Sequence, residues 1–206
     1  MLEVGCGAGD FLVAASRLGW TVQAVEYNAE MVDVIRDEFG FDVRSGELAG
    51  NLWDFSSFDV VAMWNVLEHL QNPSNELKMA SEYLRPGGRL LLNLPSRYAA
   101  ECGRGFGRYW ALLDIPRHIA FFDRKTLARV CDRAGLKLIA YETPFVQSAW
   151  CYYMSALNWA GSKGKGIVRL ALFAALASAI TLALPYIWFE AVRGRGMDAF
   201  AVAERQ

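Results

Sequence analysis

The chain is predicted to adopt a doubly wound α/β fold, in which helices cover both faces of a mostly parallel sheet. Apolar strand-like runs alternate along the chain with helical stretches, which is the pattern of consecutive βαβ units. The first run, Leu2–Val4, leads into a glycine-rich turn, and a single acid, Glu26, ends the second run. A glycine turn between a strand and a helix, followed by such an acid, indicates a nucleotide-binding sheet.

The first quarter of the chain is expected to supply three strands and two helices. Gly19 is placed to end the first helix. The Asn28 side chain is suited to cap the second helix, and Gly40 is suited to end it. The predicted strands are 1–4, 21–25 and 41–44, and the predicted helices are 11–18 and 28–39.

The following hundred residues and the C-terminal segment complete the predicted sheet. Residues 58–64 form a continuous apolar run, which is typical of a central parallel strand that is buried on both faces. The turn 85–88 ends one helix, and Asp123 is suited to cap another. Residues 95–122 are predicted to be an irregular loop, rich in basic and aromatic side chains. The predicted strands are 58–64, 89–94, 136–142 and 197–203, and the predicted helices are 73–84 and 124–134.

An apolar insertion separates the sixth and seventh predicted strands. We therefore assign residues 1–142 and 197–206 to the α/β core, and residues 143–196 to a helical insertion. No charged residue occurs from Leu170 to Phe189, a length that can span a bilayer.

The insertion is expected to form a helical hairpin. Its first helix would lie in 145–160, a stretch rich in Trp and Tyr, and Pro185 and Tyr186 would break the second helix. Strands six and seven are expected to be neighbours, so both ends of the hairpin should lie on the same side of any membrane. Residues 145–190 would then contact a membrane without crossing it, or would form an apolar cover within the chain or between two copies.

Composition restricts the class of protein. The 206 residues are 54% apolar and have a formal net charge of −1, so no nucleic-acid partner is expected. The four cysteines form no C-x-x-C pair, which favours a reducing compartment. We therefore expect a cytoplasmic location, either in the bulk cytoplasm or at the inner face of the membrane. The first strand begins at Met1 itself, so we expect that an N-terminal segment is missing.

The glycine turn indicates which nucleotide ligand binds. Glycine lets the backbone approach a ligand closely. In the dinucleotide pattern G-x-G-x-x-G the third glycine comes later than Gly9 does here, and Asp10 takes its place. An acid at the start of a helix repels a pyrophosphate. A ligand without phosphate and with a positive centre, such as S-adenosylmethionine, is therefore favoured over the nicotinamide cofactor of an oxidoreductase.

Five short motifs, in order and at suitable spacing, resemble a known family. The motifs are residues 3–9, Glu26, residues 58–61, residues 65–70 and residues 84–88. In these motifs the chain is similar to class I S-adenosylmethionine-dependent methyltransferases, in the branch of the ubiquinone-biosynthesis O-methyltransferases. Residues 114–118, Asp-Ile-Pro-Arg-His, also resemble a segment of bacterial members. The resemblance implies a Rossmann-like sheet with strand order 3-2-1-4-5-7-6 and an antiparallel seventh strand.

The resemblance also implies the roles of the cofactor-binding residues. Glu3 would face the amino group of the cofactor, and Glu26 would bind the ribose hydroxyls. Tyr27 would lie against the adenine, and Glu47 would meet its amino group. The residues after strand four would border the methyl-transfer pocket. The complete set is Glu3, Gly5, Cys6, Gly7, Gly9, Glu26, Tyr27, Glu47, Leu48, Asn65 and Val66.

The acceptor site is expected in the loop 97–122 and just after strand four. Histidine is the residue type best suited to remove a proton near neutral pH, so His118 is the candidate base, or it holds the loop through a backbone hydrogen bond. Glu68 and His69 either support the next helix or orient an acceptor; their adjacency disfavours a metal site, so none is expected. The basic residues either bind an anionic acceptor or are ordinary solvated side chains, and the aromatic residues either stack on a ring or pack beneath the loop. The candidates are His69, Arg97, Arg104, Arg108, Tyr109, Trp110, Arg117 and His118.

The predicted function is methyl transfer from S-adenosylmethionine to a small-molecule acceptor. The expected acceptor atom is an oxygen of a lipid-like, quinone-like or glycan-type molecule. The alternative is a non-catalytic module that keeps the methyltransferase fold for binding or scaffolding. Binding of S-adenosylhomocysteine or of NAD would separate these classes.

Overall fold

Seven strands form one sheet in the spatial order predicted from the sequence. The computed structural model of the chain describes residues 1–48, 52–102 and 106–206. Among these residues the sheet has the order β3-β2-β1-β4-β5-β7-β6, and it is mixed, with mostly parallel pairs. The strands are β1 Leu2–Val4, β2 Gln23–Glu26, β3 Asp42–Ser45, β4 Phe58–Trp64, β5 Leu84–Pro95, β6 Leu136–Glu142 and β7 Asp198–Arg205.

The parallel half of the sheet brings the carboxyl ends of four strands to one edge. Leu2 of β1 is paired with Gln23 of β2 on one side and with Val61 of β4 on the other. β2 and β3 are also parallel, as are β4 and β5. Ligands in open α/β sheets bind outside the carboxyl ends of the strands. The segments that follow β1, β2, β3 and β4 are therefore placed to form a site.

Between β1 and β6 the described residues form five α-helices, with the caps expected from the sequence. The Asn28 side chain accepts a hydrogen bond from the Glu30 N–H at 3.0 Å, and Gly40 ends the same helix with φ of 69°. Gly135, with φ of 73°, follows the helix that precedes β6. The helices are α1 Asp10–Arg17, α2 Ala29–Phe39, α3 Pro73–Tyr83, α4 Arg97–Cys102 and α5 Arg124–Arg133.

Two local predictions differ from the structure. β5 begins at Leu84, directly after α3, rather than at residue 89, and its pairing with β4 is irregular between Phe58 and Val60. The predicted loop 95–122 contains α4 and a 3-10 turn, Gly107–Tyr109. Ser96 and Phe122 form an isolated parallel bridge, which ties the two ends of this segment together.

The described residues cluster into two compact units. The first unit comprises residues 1–93, 126–140 and 201–206, and it contains most of the sheet. Its core includes Leu12, Ile35 and Val43, all fully buried. The second unit comprises residues 94–125 and 141–200. The second unit thus adds the loop 94–125 to the predicted insertion, while the limits of the insertion as a separate domain remain a prediction.

The insertion forms the predicted helical hairpin. α6 spans Phe145–Lys163 and α7 spans Gly166–Val192. The helices are antiparallel, because Thr143 contacts the carbonyl of Ala191 at one end, while the hydroxyls of Tyr153 and Thr181 lie 2.8 Å apart nearer the other end.

The predicted break at Pro185 and Tyr186 is wrong, since α7 continues through both residues. Proline removes one backbone hydrogen bond of the helix. Ile180 and Ile187, on either side of Pro185, are both buried in the cluster that joins α7 to α6. Packing on both sides therefore outweighs the loss of one hydrogen bond.

Candidate functional site

A cavity of about 170 Å³ lies at the carboxyl edge of the parallel strands. Residues that follow β1, β2, β3 and β4 line it, as the topology requires. Six of the eleven predicted cofactor-binding residues line this cavity. They are Gly5, Glu26, Tyr27, Glu47, Leu48 and Val66.

The glycine turn brings backbone rather than side chains to this cavity. Gly5 has φ of 71°, and a Cβ atom at this position would lie only 2.7 Å from Cγ2 of Val66. Gly9, with φ of 83°, directly precedes α1. These left-handed conformations, and the close approach at Gly5, require glycine. Glycine at position 5 therefore lets the turn pass close against Val66, and both residues line the cavity.

The Glu26 carboxylate is held in place at the wall of the cavity. It accepts hydrogen bonds from the backbone N–H groups of Gly7 and Asn28, each at 2.9 Å. A carboxylate offers about four acceptor positions. Two of them are used by the backbone, so Glu26 keeps the capacity to accept hydrogen bonds from two ligand hydroxyls.

Glu3 is the most perturbed acid of the site. Its side chain is only 2% exposed, and its Oε2 atom has no hydrogen-bond partner among the described residues. Burial, together with the charges of Glu26 and Asp10, raises the pKa of this carboxyl from 4.5 to about 8. A buried, unpartnered carboxyl beside two other acids is complementary to a cationic ligand.

Cys6 and Asn65 are two further predicted residues of the site, and the structure shows a buried thiol for the first and an unusual backbone conformation for the second. Burial, with Glu3 and Glu26 nearby, raises the pKa of the Cys6 thiol to about 12, so this thiol stays protonated and is no nucleophile. Asn65 follows β4 with φ of 54°, and its N–H donates to the Asn93 carbonyl at 2.9 Å. A non-glycine residue in this conformation is uncommon and is often found at functional sites.

Five residues that line the cavity are not in the predicted cofactor-binding set: Val4, Val25, Gly46, Leu70 and Glu76. Val4 and Val25 belong to β1 and β2, and Gly46 directly follows β3. Leu70 ends the segment after β4, which the sequence analysis identified as a motif. Glu76 lies in the first turn of α3, and burial and the Glu47 carboxylate raise its pKa. No local sequence signal indicates Glu76, because its position depends on how α3 packs. Residues 49–51, which follow Leu48, lie outside the described part.

His69 lies in the first unit, in a 3-10 turn, Leu67–His69, rather than at the start of a helix. Its Nε2 is 4.0 Å from the carboxylate of Glu68, which is fully buried. α3 is capped instead by Asn72, whose side chain accepts from the Asn75 N–H at 3.2 Å. Asn72, rather than Glu68 or His69, therefore caps α3, and other support of this helix by the pair stays a prediction.

The other acceptor candidates lie in the second unit. The Nδ1 atom of His118 is 2.7 Å from the carbonyl oxygen of Leu112, so this nitrogen carries the proton and Nε2 is the basic atom. This contact satisfies the structural role predicted for His118, and it also gives the tautomer that a general base needs.

The basic and aromatic candidates of this segment have partners of their own. Arg97 forms an ion pair with Asp123 at 3.5 Å, and Arg117 forms one with Asp114 at 2.6 Å. The Tyr109 hydroxyl accepts from the Arg108 guanidinium at 3.0 Å. Arg104 lies outside the described residues.

Trp110 is 3% exposed, and its ring packs against Phe106 and Tyr152. This is the packing alternative that the sequence left open for the aromatic residues. Its role in acceptor binding stays a prediction, as do the roles of the other candidates.

Comparison with known proteins now identifies the family. A family model described as a methyltransferase domain matches residues 1–141, which is more than half of the chain. The chain belongs to this methyltransferase family. The resemblance predicted from the glycine turn and its companion motifs is thereby confirmed.

One curated relative and two solved structures illustrate the similarity. The mitochondrial ubiquinone biosynthesis O-methyltransferase of Schizosaccharomyces pombe is 34% identical over 104 residues, which are 47% of this chain but only 38% of that protein. An S-adenosylmethionine-dependent methyltransferase from Mesorhizobium loti has a TM-score of 0.62 at 16% identity, and the match covers 99% of this chain and 90% of that one. A geranyl diphosphate C-methyltransferase from Streptomyces coelicolor A3(2) has a TM-score of 0.58 at 13% identity, with 100% and 70% coverage. At these identities the solved structures show the fold.

The family confirms S-adenosylmethionine as the predicted cofactor, and the chemistry of the residues at the carboxyl edge of the sheet suits it. The unpartnered oxygen of Glu3 suits an ammonium group, and Glu26 can accept from ribose hydroxyls. Gly5 and Val66 both line the cavity, so the backbone of the glycine turn forms part of its wall. The role of each residue in this cavity remains a prediction.

Proposed function

We propose that this chain transfers a methyl group from S-adenosylmethionine to an oxygen of a lipid-like acceptor at a membrane surface. The cavity bounded by the glycine turn and Glu26 is the observation on which the proposal depends. The curated relative is named as an O-methyltransferase of ubiquinone biosynthesis, and one structural neighbour is named for geranyl diphosphate. Both names favour an apolar acceptor.

The residues of the chain would mainly position the reactants. The bound cofactor supplies a methyl group that is already activated by its sulfonium. Glu3 and Glu26 would fix the cofactor at its ammonium and ribose groups, and such positioning is worth up to about 7–11 kcal/mol of the barrier. His118, whose Nδ1 proton is directed at the Leu112 carbonyl, would take the acceptor proton on Nε2. General bases contribute roughly 10²–10⁴-fold.

The proposed membrane contact is made by α7. In the described part of the chain, α7 is the one helix long and apolar enough to cross a membrane by length and composition. Only 6% of its most apolar window is buried. Ile180 and Ile187 contact α6, while large apolar side chains on the remaining surface, such as Leu182 at 85% exposure, are open to solvent.

The closed base of the hairpin favours a helix that lies in the membrane plane over one that crosses. The Thr143 hydroxyl donates to the Ala191 carbonyl at 2.7 Å and accepts from the Gly196 N–H at 3.1 Å. Both ends of the hairpin are therefore held together on one side. Aromatic and basic residues at the ends of an apolar helix are typical of segments that meet the membrane–water interface. Tyr186, Trp188 and Phe189 lie at the C-terminal end of the uncharged stretch 170–189. The basic residues that flank this stretch are Lys163, Lys165, Arg169, Arg193 and Arg195.

A lipid surface is favoured over a second copy of the chain. The exposed part of α7 is apolar along most of its length, and it lacks the charged pairs that fix the register of a helix dimer. The basic residues at both ends match the anionic surface of the cytoplasmic leaflet. We therefore place the chain in the cytoplasm, at the inner face of the membrane.

Methyl transfer is tested with labelled cofactor. The full chain is incubated with S-adenosylmethionine that carries a tritiated methyl group and with total membrane lipids, and label in the organic phase is measured. Label should enter this phase with the wild-type protein and not with Glu26→Ala. If S-adenosylhomocysteine binds but no label moves to lipid or water-soluble acceptors, the non-catalytic alternative is correct.

Membrane contact is tested by flotation with neutral phosphatidylcholine vesicles. Leu182→Asp should reduce binding by about tenfold or more, because an acid in apolar membrane costs roughly 2.5–3.5 kcal/mol. Leu18→Asp is the matched control, since Leu18 is 81% exposed but lies after α1. If the wild-type protein ignores vesicles and forms a dimer that Leu182→Asp dissociates, the dimer cover replaces the membrane proposal.

A further inference from the structure

One buried side chain of α6 holds the backbone of the loop that carries His118. The Ser155 hydroxyl accepts a hydrogen bond from the Ala111 N–H at 2.9 Å and donates one to the Cys151 carbonyl at 2.7 Å. Ser155 is completely buried. A serine hydroxyl in a helix often bonds to the carbonyl four residues earlier. The bond from the loop N–H is an additional one, and it joins two segments that are 44 residues apart in the chain.

A continuous chain of hydrogen bonds leads from the serine of α6 to the ring of His118. The Ala111 N–H and the Trp110 carbonyl belong to one peptide group, and this carbonyl accepts from the Leu113 N–H at 3.2 Å. The Leu113 N–H shares a second peptide group with the Leu112 carbonyl. That carbonyl lies 2.7 Å from Nδ1 of His118. Two peptide groups therefore connect the serine hydroxyl to the imidazole.

All four hydrogen bonds of this chain point in the same direction. A carbonyl oxygen can only accept, so Nδ1 of His118 is the donor at the Leu112 carbonyl. Each peptide group accepts at its oxygen and donates at its N–H, and the Ser155 hydroxyl does the same toward Cys151. Hydrogen bonds arranged in this way polarise one another, by about 10–30% per bond. The chain of bonds thus favours the ring form in which Nε2 is the proton acceptor.

Apolar packing brings the loop to α6, but it does not determine how the peptide groups are turned. The Trp110 ring packs against Phe106 and Tyr152, and such ring contacts have little directional preference for the backbone. The N–H of His118 donates to the Asp114 carbonyl at 3.1 Å, which fixes the backbone at the histidine. The Ser155 hydroxyl supplies the directional contact at the other end of the segment.

We propose that Ser155 is a positioning residue for His118. By holding the Ala111 N–H, it keeps the two peptide groups in the orientation in which the Leu112 carbonyl binds Nδ1. Without the hydroxyl, these peptide groups can turn, and the ring can then carry its proton on either nitrogen. The consequence for turnover rests on the proposed function, in which His118 takes the acceptor proton.

The first measurement uses the wild-type protein and needs no acceptor. The chain contains only two histidines, so a His118→Gln variant assigns the nitrogen signals of both rings. Long-range proton–nitrogen correlation spectra at alkaline pH show which ring nitrogen is protonated. The His118 ring should be protonated on Nδ1 alone. A proton on Nε2 in the wild-type protein would overturn the proposal.

The second measurement compares Ser155→Ala with a matched substitution on the same helix. Ser148 is also completely buried, and its hydroxyl accepts from the Met197 N–H at 2.9 Å and donates to the Pro144 carbonyl at 3.1 Å. Ser148→Ala and Ser155→Ala should therefore be destabilised to a similar degree. Only Ser155→Ala should show a mixture of protonated ring nitrogens at His118.

Turnover is measured as the initial rate at which tritiated methyl label enters total membrane lipids. Ser155→Ala should lower this rate by about tenfold, which is part of the roughly 10²–10⁴-fold that a general base contributes. Its affinity for S-adenosylhomocysteine should stay unchanged, and Ser148→Ala should keep the wild-type rate. If Ser155→Ala does not fold, Ser155→Cys replaces it, because a thiol has a similar size but is a weak acceptor.

The outcomes separate a positioning role from a structural one. Unchanged ring signals in the Ser155 variant would overturn the proposal, as would equal effects of the Ser148 and Ser155 variants on the ring or on turnover. Failure of the proposed function gives a different result. In that case His118→Ala transfers label at the wild-type rate or no label is transferred at all, while the ring signals still respond to the loss of the Ser155 hydroxyl.

Discussion

Replacing Glu3 by Gln is expected to stabilise the free protein at alkaline pH and to weaken cofactor binding. The carboxyl is 2% exposed, and one oxygen has no hydrogen-bond partner among the described residues. Its pKa is raised from 4.5 to about 8, chiefly by burial and then by Glu26 and Asp10. Glutamine has nearly the same shape but cannot ionise, so it avoids the cost of a buried charge.

The direction of the pH dependence follows from proton linkage. Between pH 4.5 and about 8 the folded state holds a proton on Glu3 that the unfolded state has lost. The free energy of unfolding of the wild-type protein therefore falls as pH rises through this range. At roughly 1.36 kcal/mol per pH unit, the complete effect is about 5 kcal/mol. The protonated Glu3 thus stabilises the wild-type fold fully below pH 4.5, and this stabilisation is lost as the pH rises through about 8.

The assay is denaturant unfolding of wild type and Glu3→Gln at several pH values, followed by Trp fluorescence. The two proteins should have similar stability near about pH 4, and the variant should gain up to about 5 kcal/mol by about pH 9. Glu38→Gln, which changes an exposed acid of α2, is the control and should follow the wild type. A constant difference between Glu3→Gln and wild type at all pH values would refute the reasoning.

Glu3→Gln is expected to have the opposite effect on cofactor binding, which it should weaken. An ammonium ligand favours the ionised carboxyl, so binding near neutral pH should release a proton, and calorimetry in buffers of different ionisation enthalpy detects it. Glu3→Gln should bind S-adenosylhomocysteine about 10–100-fold more weakly, since a charge-assisted hydrogen bond is worth about 1.5–3 kcal/mol. Glu3 is thus expected to lower the stability of the free protein and to raise its affinity for the cofactor.

Three further substitutions test the site and the second unit. Gly5→Ala should lower the free energy of unfolding by about 1–3 kcal/mol, because φ is left-handed and the added Cβ would lie 2.7 Å from Cγ2 of Val66. Adding Val66→Ala should restore part of this free energy. An unchanged melting temperature of Gly5→Ala would contradict the close approach. His118→Ala should lower kcat by about 10²–10⁴-fold and leave cofactor affinity unchanged, whereas equal turnover would return His118 to a structural role. Ser148→Ala should cost about 1–3 kcal/mol, because the buried Met197 N–H loses its acceptor at 2.9 Å; denaturant unfolding without any loss would contradict this.

The fold could be predicted because its signals are local and agree with one another. The Asn28 cap, the Gly40 stop and the apolar run of β4 each indicate one boundary, and the structure confirms them within about two residues. The strand order 3-2-1-4-5-7-6 followed from the family resemblance rather than from periodicity, and it is also confirmed.

The wrong prediction at Pro185 shows where local signals fail. Proline lacks an N–H, which locally favours a break. Contacts of Ile180 and Ile187 with α6 decide the outcome, and these contacts depend on tertiary packing that no short motif encodes. The early start of β5 has a similar origin, because Leu84 pairs with Phe58 across the sheet before the regular pairing with β4 resumes.

The part of the candidate site that lies at one edge of the sheet could be predicted from the sequence. Gly5, Glu26 and Val66 follow strands whose carboxyl ends meet, so topology alone brings them to one cavity. Glu76 was missed because it enters the cavity from α3, whose rotation against the sheet has no sequence motif. The raised pKa of Glu3 could not be predicted from the sequence either, because it depends on burial that only the structure reveals.

The most direct test of the account is calorimetric titration of the full chain with S-adenosylhomocysteine and with NAD. We predict that S-adenosylhomocysteine binds, that NAD does not, and that Glu26→Ala weakens binding of S-adenosylhomocysteine by at least about tenfold, the equivalent of one charge-assisted hydrogen bond. Circular dichroism of the variant establishes that its fold is retained. Tight binding of NAD, or an affinity for S-adenosylhomocysteine that Glu26→Ala leaves unchanged, would contradict the assignment of this cavity.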